Sequence, residues 1–180
     1  TEGALQLIDQ ALAAVAHAHQ AKVIHCDIKP DNFILFPGNQ LKLTDFGFSK
    51  VAERTVKASG SGTVGYIAPE QAVGRPRFES DVFSLGLVIY ELLSGHVPDW
   101  PYDWPPPQIK RVREKLSPTL VDWLRRAIHV LPNQRFKNAV TMYREFRRLR
   151  AGAVKKTRQR RRNAADDPSR WQEVLFRQFR

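Results

Sequence analysis

Apolar residues recur at steps of three and four along the first part of the chain. Four apolar residues and one histidine follow this spacing through an alanine-rich stretch: Leu5, Ile8, Leu12, Val15 and His19. A spacing close to 3.6 residues places such positions on one face of a helix. The pattern therefore predicts an amphipathic helix over residues 2–19.

The hydrophobic pattern becomes shorter after this helix. Residues 34–36 are apolar, residues 37–39 read Pro-Gly-Asn, and Leu41 and Leu43 alternate with polar neighbours. Two short strands around such a turn are typical of a β-hairpin. We therefore expect a small hairpin directly after the polar segment HCDIKPDN of residues 25–32.

A longer apolar run, VFSLGLVIYELLSG, occupies residues 82–95. It is apolar almost all round, as is expected of a helix in the centre of a domain. Ser80 or Asp81 is expected to cap its N-terminus, and Gly95 is expected to end it.

Helical periodicity returns over residues 118–128 and again over residues 138–150. Residues 49–65 are rich in Ser, Thr, Gly and Lys and predict a loop, and residues 96–107 predict a proline and tryptophan loop. The expected fold class is therefore α+β, mostly α, with one small hairpin.

Composition and charge divide the chain in two. Its 180 residues are 42% hydrophobic, enough for one domain with a core, which we place at residues 1–150. Residues 150–180 contain ten Lys/Arg against three Asp/Glu, much of the net charge of +11. Residues 151–180 are therefore predicted to form a basic, solvated tail, with a short amphipathic segment at 171–179 that could bind a protein partner.

The charge block KKTRQRRR at residues 155–162 also permits contact with nucleic acid or an anionic membrane. No base-reading motif accompanies it, so nucleic acid is disfavoured as a partner. No run of 18 apolar residues and no leader is visible, so we expect neither a membrane span nor a signal peptide. Cys26 is the single cysteine, which excludes an intramolecular disulfide and suits a reducing, cytoplasmic compartment.

Five segments together resemble the protein kinase family. They are HCDIKPDN at residues 25–32, DFG at 45–47, GTVGYIAPE at 62–70, DVFSLG at 81–86 and PNQRF at 132–136. The first is similar to the kinase catalytic loop H-R-D-L-x-x-x-N, and the third ends in A-P-E. Each segment alone is weak, but their order and spacing point to the large C-terminal lobe of a kinase.

The resemblance implies a role for each polar residue of the first two segments. Phosphoryl transfer depends mainly on positioning and charge neutralisation. Asp27 would orient the attacking hydroxyl as the base, and Lys29 would meet the γ-phosphate of ATP. Asn32 and Asp45 would hold Mg²⁺, a hard cation that prefers oxygen ligands. Ile34 would lie in the strand beneath the nucleotide.

The resemblance also implies supporting residues. Lys29 in combination with Thr63 indicates protein substrates phosphorylated on serine or threonine. His25 is expected to contact Phe46, and Asp81 is expected to hold the backbone of the catalytic loop. Two further residues, Glu70 and Arg135, are expected to form a buried ion pair that supports the substrate loop.

Cys26 departs from the family pattern because an arginine usually precedes the catalytic aspartate. That arginine pairs with a phosphate on the activation loop. Thr55, Ser59 and Ser61 remain candidate phosphorylation sites, but we expect activity to depend only weakly on their phosphorylation.

A second departure concerns the ATP site. GSGTVG at residues 60–65 matches G-x-G-x-x-G, yet no V-A-I-K strand follows, so it is expected to be the end of the activation loop. The glycine-rich loop, lysine and glutamate of the family's N-lobe are missing. The chain starts at Thr1 rather than Met, which suits a fragment, and it is not expected to turn over alone.

Several alternatives remain open. HCDIKPDN alone could be a polar turn; a His25/Cys26/Asp27 metal site is disfavoured because adjacent residues rarely converge on one metal. The favoured function is that of a serine/threonine kinase in which a longer chain supplies the N-lobe. A catalytically silent, pseudokinase-like interaction module is the alternative, and a basic-tailed nucleic-acid binder is a third.

Overall fold

A computed structural model describes residues 2–48, 50–51 and 65–151. The chain divides into a compact unit of residues 1–147 and a second unit of residues 148–180. Of the second unit, only the helical residues 148–151 are described. The basic block at 155–162 and the amphipathic segment at 171–179 lie outside the described residues.

The described residues are mostly helical, with two small antiparallel strand pairs. In chain order the elements are α1 (Glu2–Gln20), β1 (Val23–Ile24), β2 (Phe33–Phe36), β3 (Gln40–Leu43), β4 (Lys50–Val51), α2 (Pro69–Ala72), α3 (Phe78–Ser94), α4 (Ile109–Lys115), α5 (Pro118–Ala127) and α6 (residues 139–151). This architecture confirms the predicted α-dominated α+β class. No helix within the described ranges is long and apolar enough to cross a membrane.

The helix α1 forms as its periodicity predicts. Ile8, Leu12 and Val15 are almost completely buried on its inner face. On the same helix, the Gln10 amide donates a hydrogen bond to the carbonyl of Asn39 at 2.9 Å and accepts one from the Leu41 N–H at 2.8 Å. A single polar side chain therefore fixes the hairpin turn against α1.

The predicted hairpin is present as β2 and β3, paired from Phe33↔Leu43 to Phe36↔Gln40. Asn39 in its turn has a φ of 62°, in the left-handed region that asparagine tolerates better than most residues. A second pair, β1 with β4, was not predicted. It joins the chain before the catalytic loop to the chain after DFG, a pairing that local pattern does not reveal.

The helix α3 is the centre of the unit and is buried along most of its length. The prediction that Ser80 or Asp81 caps it was wrong, because the helix already begins at Phe78. Ser80 occupies the third helical position, where its Oγ accepts a hydrogen bond from the Arg77 N–H at 3.1 Å. Gly95 ends the helix as predicted, with a φ of 73°.

The remaining helices pack through aromatic side chains. Trp123 of α5 contacts Phe136 and Phe146, and its indole N–H donates to the Met142 carbonyl at 3.0 Å. Asn138 precedes α6 and accepts the Thr141 N–H through its side chain. The helix α4 was not predicted from its sequence, IKRVREK, because only Ile109 and Val112 are apolar.

Candidate active site

The side chains of the catalytic loop converge on Asp27, between β1 and β2. The ammonium of Lys29 lies 3.0 Å from Asp27 Oδ2. The Asn32 amide nitrogen donates to the same oxygen at 3.1 Å and to the Asp27 carbonyl at 2.7 Å. The structure thus brings together three of the residues that the sequence indicated.

Local backbone geometry explains this convergence. Pro30 begins one turn of 3-10 helix, Pro30–Asn32, which directs Asn32 back toward Asp27. Proline is favoured at the start of such a turn because its φ is already fixed near the helical value. The hydrogen bond to Asp27 raises the pKa of Lys29 above its ordinary value.

Asp81 supports this loop from within α3. Its Oδ1 accepts the Cys26 N–H at 2.9 Å, and its Oδ2 accepts the His25 N–H at 2.7 Å. His19 Nε2 lies 2.9 Å from the same Oδ2, and its Nδ1 accepts the Ala139 N–H at 2.9 Å. The sequence suggested Asp81 as the support but placed His19 only on the apolar face of the first helix.

His25 connects the catalytic loop to the segment that carries Asp45. Its Nε2 lies 3.0 Å from the carbonyl oxygen of Thr44, and its ring packs against Phe46 at 4.7 Å between centroids. The Asp27 N–H donates to His25 Nδ1 at 3.3 Å. Nδ1 accepts a hydrogen bond and Nε2 faces a carbonyl oxygen, so these contacts fit the tautomer that carries its proton on Nε2.

Asp45 follows β3 and reaches the same region. The Thr44 N–H donates to the carbonyl of Asn32 at 2.9 Å, so the two segments adjoin at the residue before Asp45. Asp45 has a φ of 60°, and its Oδ1 accepts the Gly47 N–H at 3.3 Å. Its side chain is otherwise exposed.

The residues present fit a divalent cation bound to oxygen. The Asn32 nitrogen is directed to Asp27, which leaves Oδ1 as the ligand atom of that amide. This oxygen and the Asp45 carboxylate are the hard donors that Mg²⁺ prefers. Ile34, 45% exposed on β2, offers an apolar surface that suits the flat face of a nucleotide base.

A second polar cluster joins α2 to the C-terminal part of the unit. The Arg135 guanidinium binds both carboxylate oxygens of Glu70, at 2.8 and 3.1 Å, as expected from the sequence. Its remaining N–H groups donate to carbonyl oxygens, including that of Glu79 at 2.9 Å. Burial lowers the pKa of Arg135, and the bond to Glu70 opposes this effect.

Further contacts of the segment before α3 were missed by sequence reasoning. The Tyr66 hydroxyl donates to Glu91 Oε2 at 2.6 Å, and the Gln71 amide donates to the Cys26 carbonyl at 2.5 Å. These bonds tie the chain near A-P-E to α3 and to the catalytic loop. Only the family pattern around A-P-E could have indicated them. Four candidate residues lie outside the described residues: Thr55, Ser59, Ser61 and Thr63.

Comparison with known proteins agrees with this geometry. The protein kinase domain family profile matches residues 2–167. The chain therefore belongs to the protein kinase family.

Several of the similar proteins are bacterial serine/threonine kinases. The chain is 39% identical over 137 residues to the serine/threonine-protein kinase PknA of Mycobacterium tuberculosis, across 66% of this chain and 32% of that protein. It is 36% identical over 149 residues to serine/threonine-protein kinase C of Synechocystis, across 76% of this chain and 28% of that protein. With PrkC of Bacillus subtilis the identity is 40% over 99 residues, or 53% and 15% of the two chains. The matched regions thus span about a third or less of these relatives.

Proposed function

We propose that this chain carries the phosphoryl-transfer residues of a serine/threonine protein kinase that uses ATP and Mg²⁺. The observation that supports the proposal best is the convergence of Lys29 and Asn32 on Oδ2 of Asp27. A purely structural polar turn does not need two side chains directed at one carboxylate oxygen, because backbone hydrogen bonds alone can stabilise a turn. The names of the relatives favour serine and threonine as acceptors on a protein substrate.

Each residue has a defined part in this chemistry. The carboxylate of Asp27 orients the substrate hydroxyl and receives its proton as the oxygen bonds to the γ-phosphorus. The ammonium of Lys29, held 3.0 Å from Asp27 Oδ2, offsets negative charge on the transferred group. Asn32 and Asp45 would hold Mg²⁺, which would neutralise negative charge on the phosphate oxygens when bound. ADP and the phosphorylated side chain are the products.

Transfer of labelled γ-phosphate to a generic protein substrate tests the proposal. Three forms are compared: this chain, the chain extended through its natural upstream coding sequence, and the extended chain with Asp27→Asn. We expect turnover in the extended wild type and a loss of about 10²- to 10⁴-fold on Asp27→Asn. Asp103→Asn, at an exposed carboxylate of the proline and tryptophan loop, is the matched control.

A non-catalytic interaction module is the second candidate. It is favoured by the exposed apolar residues of β2, since Leu35 is 54% exposed and Phe36 40% exposed. If every extended form is folded, binds nucleotide weakly and transfers no phosphate, this candidate replaces the first. Turnover that is insensitive to Asp27→Asn would also contradict the proposed mechanism.

A further inference from the structure

Positive charge is concentrated in the helices that follow the proline and tryptophan loop. Within the compact unit, residues 108–147 contain ten Lys/Arg against three Asp/Glu, a formal charge of +7. Residues 1–107 contain eight against twelve, a formal charge of −4. Eight of the ten basic side chains of residues 108–147 are exposed. The unit therefore has a basic surface built on α4, α5 and the part of α6 that ends at residue 147.

Two adjoining hollows open on this surface and share Asp122 and Arg125 of α5. The first, of about 350 Å³, is also lined by Trp104, Arg113, Leu116, Pro118 and Val121. The second, of about 590 Å³, is also lined by Arg126, His129, Asn133 and Gln134. We refer to the two hollows together as the basic groove. None of its residues belongs to the catalytic loop, the hairpin or α2.

The charges of the basic groove are only partly neutralised. Among the residues that the structure describes, no carboxylate oxygen lies within 4 Å of the guanidinium of Arg113 or of Arg125. The Arg125 guanidinium instead lies over the Trp104 ring, 5.6 Å from its centroid. Arg126 is held in place by Phe136, at 4.3 Å, and by Glu145, at 3.5 Å. Two arginine charges thus remain for an external anion.

The lining distinguishes between two kinds of anionic partner. A single-stranded nucleic acid binds through continuous phosphates and through bases stacked on open aromatic faces. Here Arg125 covers a face of Trp104, and the Asp122 carboxylate stands between the hollows, where it would repel a phosphate backbone. A peptide avoids both problems, because its carboxylates are spaced by neutral backbone and can lie on either side of Asp122.

The two hollows also differ in polarity along the groove. Leu116, Pro118 and Val121 make the first hollow largely aliphatic on one side. The second hollow is lined by charged and amide side chains and by the imidazole of His129. An apolar side chain fits the first, and carboxylates fit the second, where arginine can bind them with two parallel hydrogen bonds.

We propose that the basic groove binds an extended acidic peptide segment of a partner protein. One apolar side chain of the segment enters the hollow beside Trp104. Its carboxylates face Arg113 and Arg125, the two arginines of the groove with no carboxylate partner among the described residues, and Arg126 and His129 line the second hollow beside them. This binding is separate from phosphoryl transfer and persists in the Asp27→Asn variant.

Fluorescence anisotropy with the 180-residue chain tests the proposal at about 150 mM salt, where exposed charges are screened beyond roughly 8 Å. The probes are seven labelled heptapeptides in which one leucine moves through heptaglutamate, with heptaglutamate itself as reference. We expect at least one leucine peptide to bind at least five-fold more tightly than heptaglutamate. No binding by any of the seven, or equal binding by heptaglutamate, would overturn the proposal.

Charge reversal locates the site. Arg125→Glu is expected to weaken the tightest peptide at least ten-fold, and the milder Arg125→Gln at least three-fold. Arg144→Glu makes the same charge change at an exposed position of α6 outside the groove and is expected to weaken binding less than two-fold.

Three outcomes would contradict the proposal. Equal weakening by both reversals would mean non-specific attraction, and loss of binding only on neutralising residues 155–162 would place binding in the tail. Arg125-dependent binding that is tighter for a 15-nucleotide oligouridine would assign the groove to nucleic acid, also against the proposal.

Discussion

The carboxylate of Asp81, inside α3, accepts a hydrogen bond from the backbone N–H of Cys26 at 2.9 Å. Cys26 has a φ of 69°, in the left-handed region that residues other than glycine seldom occupy. The same carboxylate accepts the N–H of His25 at 2.7 Å. The backbone immediately before Asp27 is therefore held in an unfavourable conformation by a distant, buried acid.

Replacement of this acid should affect both stability and activity. The asparagine introduced by Asp81→Asn would offer a single acceptor oxygen, so a buried N–H of His25 or Cys26 would lose its partner. We expect the free energy of unfolding to fall by about 1–3 kcal/mol, measured by urea denaturation. Phosphate transfer by the extended chain should fall more than ten-fold. Glu114→Gln, at an exposed carboxylate of α4, controls for the change in charge, and equal effects of the two variants would contradict the assignment.

The ion pair of Glu70 and Arg135 offers a double-mutant test. Arg135→Met leaves the Glu70 carboxylate without its guanidinium, and we expect a loss of about 3–5 kcal/mol in the free energy of unfolding. Arg135→Met with Glu70→Leu should lose less than the sum of the two single variants, since no charge then remains unpaired. Additive losses in denaturant unfolding would show that the two side chains act independently.

Gly86 of α3 tests the packing between this helix and the end of α5. A Cβ at residue 86 would lie 2.6 Å from Ile128 Cγ2 and 3.1 Å from Ala127 Cβ. Alanine gains about 1 kcal/mol of helix propensity relative to glycine, but overpacking of a core costs about 1–3 kcal/mol. The neighbour Ile128 is β-branched and stiff, so its side chain cannot easily move away. We therefore expect Gly86→Ala to lower the thermal midpoint by about 2–4 °C.

Gly3→Ala is the matched control for this substitution. Gly3 lies in α1, and a Cβ there meets nothing within 4 Å. The propensity gain is then unopposed, so the thermal midpoint should rise rather than fall. A rise in both variants would show that α3 and α5 are packed less closely than the structure indicates.

Some elements of the fold could be predicted from local sequence pattern and others could not. α1 and the body of α3 followed from local periodicity, because burial and spacing agree in those two helices. The hairpin followed from its Pro-Gly-Asn turn between two apolar segments, although the apolar residues of β2 are exposed. The start of α3 could not be predicted in this way, because serine is equally suited to cap a helix or to occupy its third position. The residues before Ser80 determine which of the two positions it takes. The β1–β4 pair depends on contact between Ile24 and Lys50, which are distant in sequence.

The site was predictable to a similar degree. The grouping of Asp27, Lys29 and Asn32 followed from a short segment whose spacing limits its geometry. The contacts of His19 could not be predicted, because the sequence pattern of a histidine on the buried face of a helix is the same whether the side chain only packs or also forms hydrogen bonds. The basic groove was also missed: Arg113 and Arg125 belong to separate helices, and only the fold brings them to one hollow.

Tyr90 gives the fold a dependence on alkaline pH. Its hydroxyl lies 2.7 Å from the carbonyl oxygen of Pro107, and burial raises its pKa from 10.0 to about 12. Because the folded-state pKa is the higher one, this stabilisation is complete below pH 10 and is lost as pH rises toward 12. Between about pH 9 and pH 11.5, we expect wild type to lose about 1–2 kcal/mol more stability than Tyr90→Phe in urea denaturation. Parallel losses would show that Tyr90 does not contribute.

Cys26 leads to a prediction about regulation. A thiol that is 4% exposed cannot replace an arginine in binding a phosphate on the activation loop. We therefore expect phosphatase treatment to change the activity of the extended kinase less than two-fold. Alanine at Thr55, Ser59 and Ser61 should have an equally small effect. A large loss of phosphate transfer after dephosphorylation would mean that another cation takes the place of this arginine.

The two ring nitrogens of His19 bind groups from different parts of the chain, Asp81 of α3 and the N–H of Ala139 at the start of α6. A truncation that removes α6 would therefore leave one nitrogen of this buried imidazole without its donor. The resulting change in tautomer or ring position would alter the contact of His19 with Asp81, whose carboxylate holds the backbone of the catalytic loop. The smallest fragment with an intact catalytic loop thus has its C-terminal boundary beyond the first turn of α6, because His19 and Asp81 connect that helix to the loop.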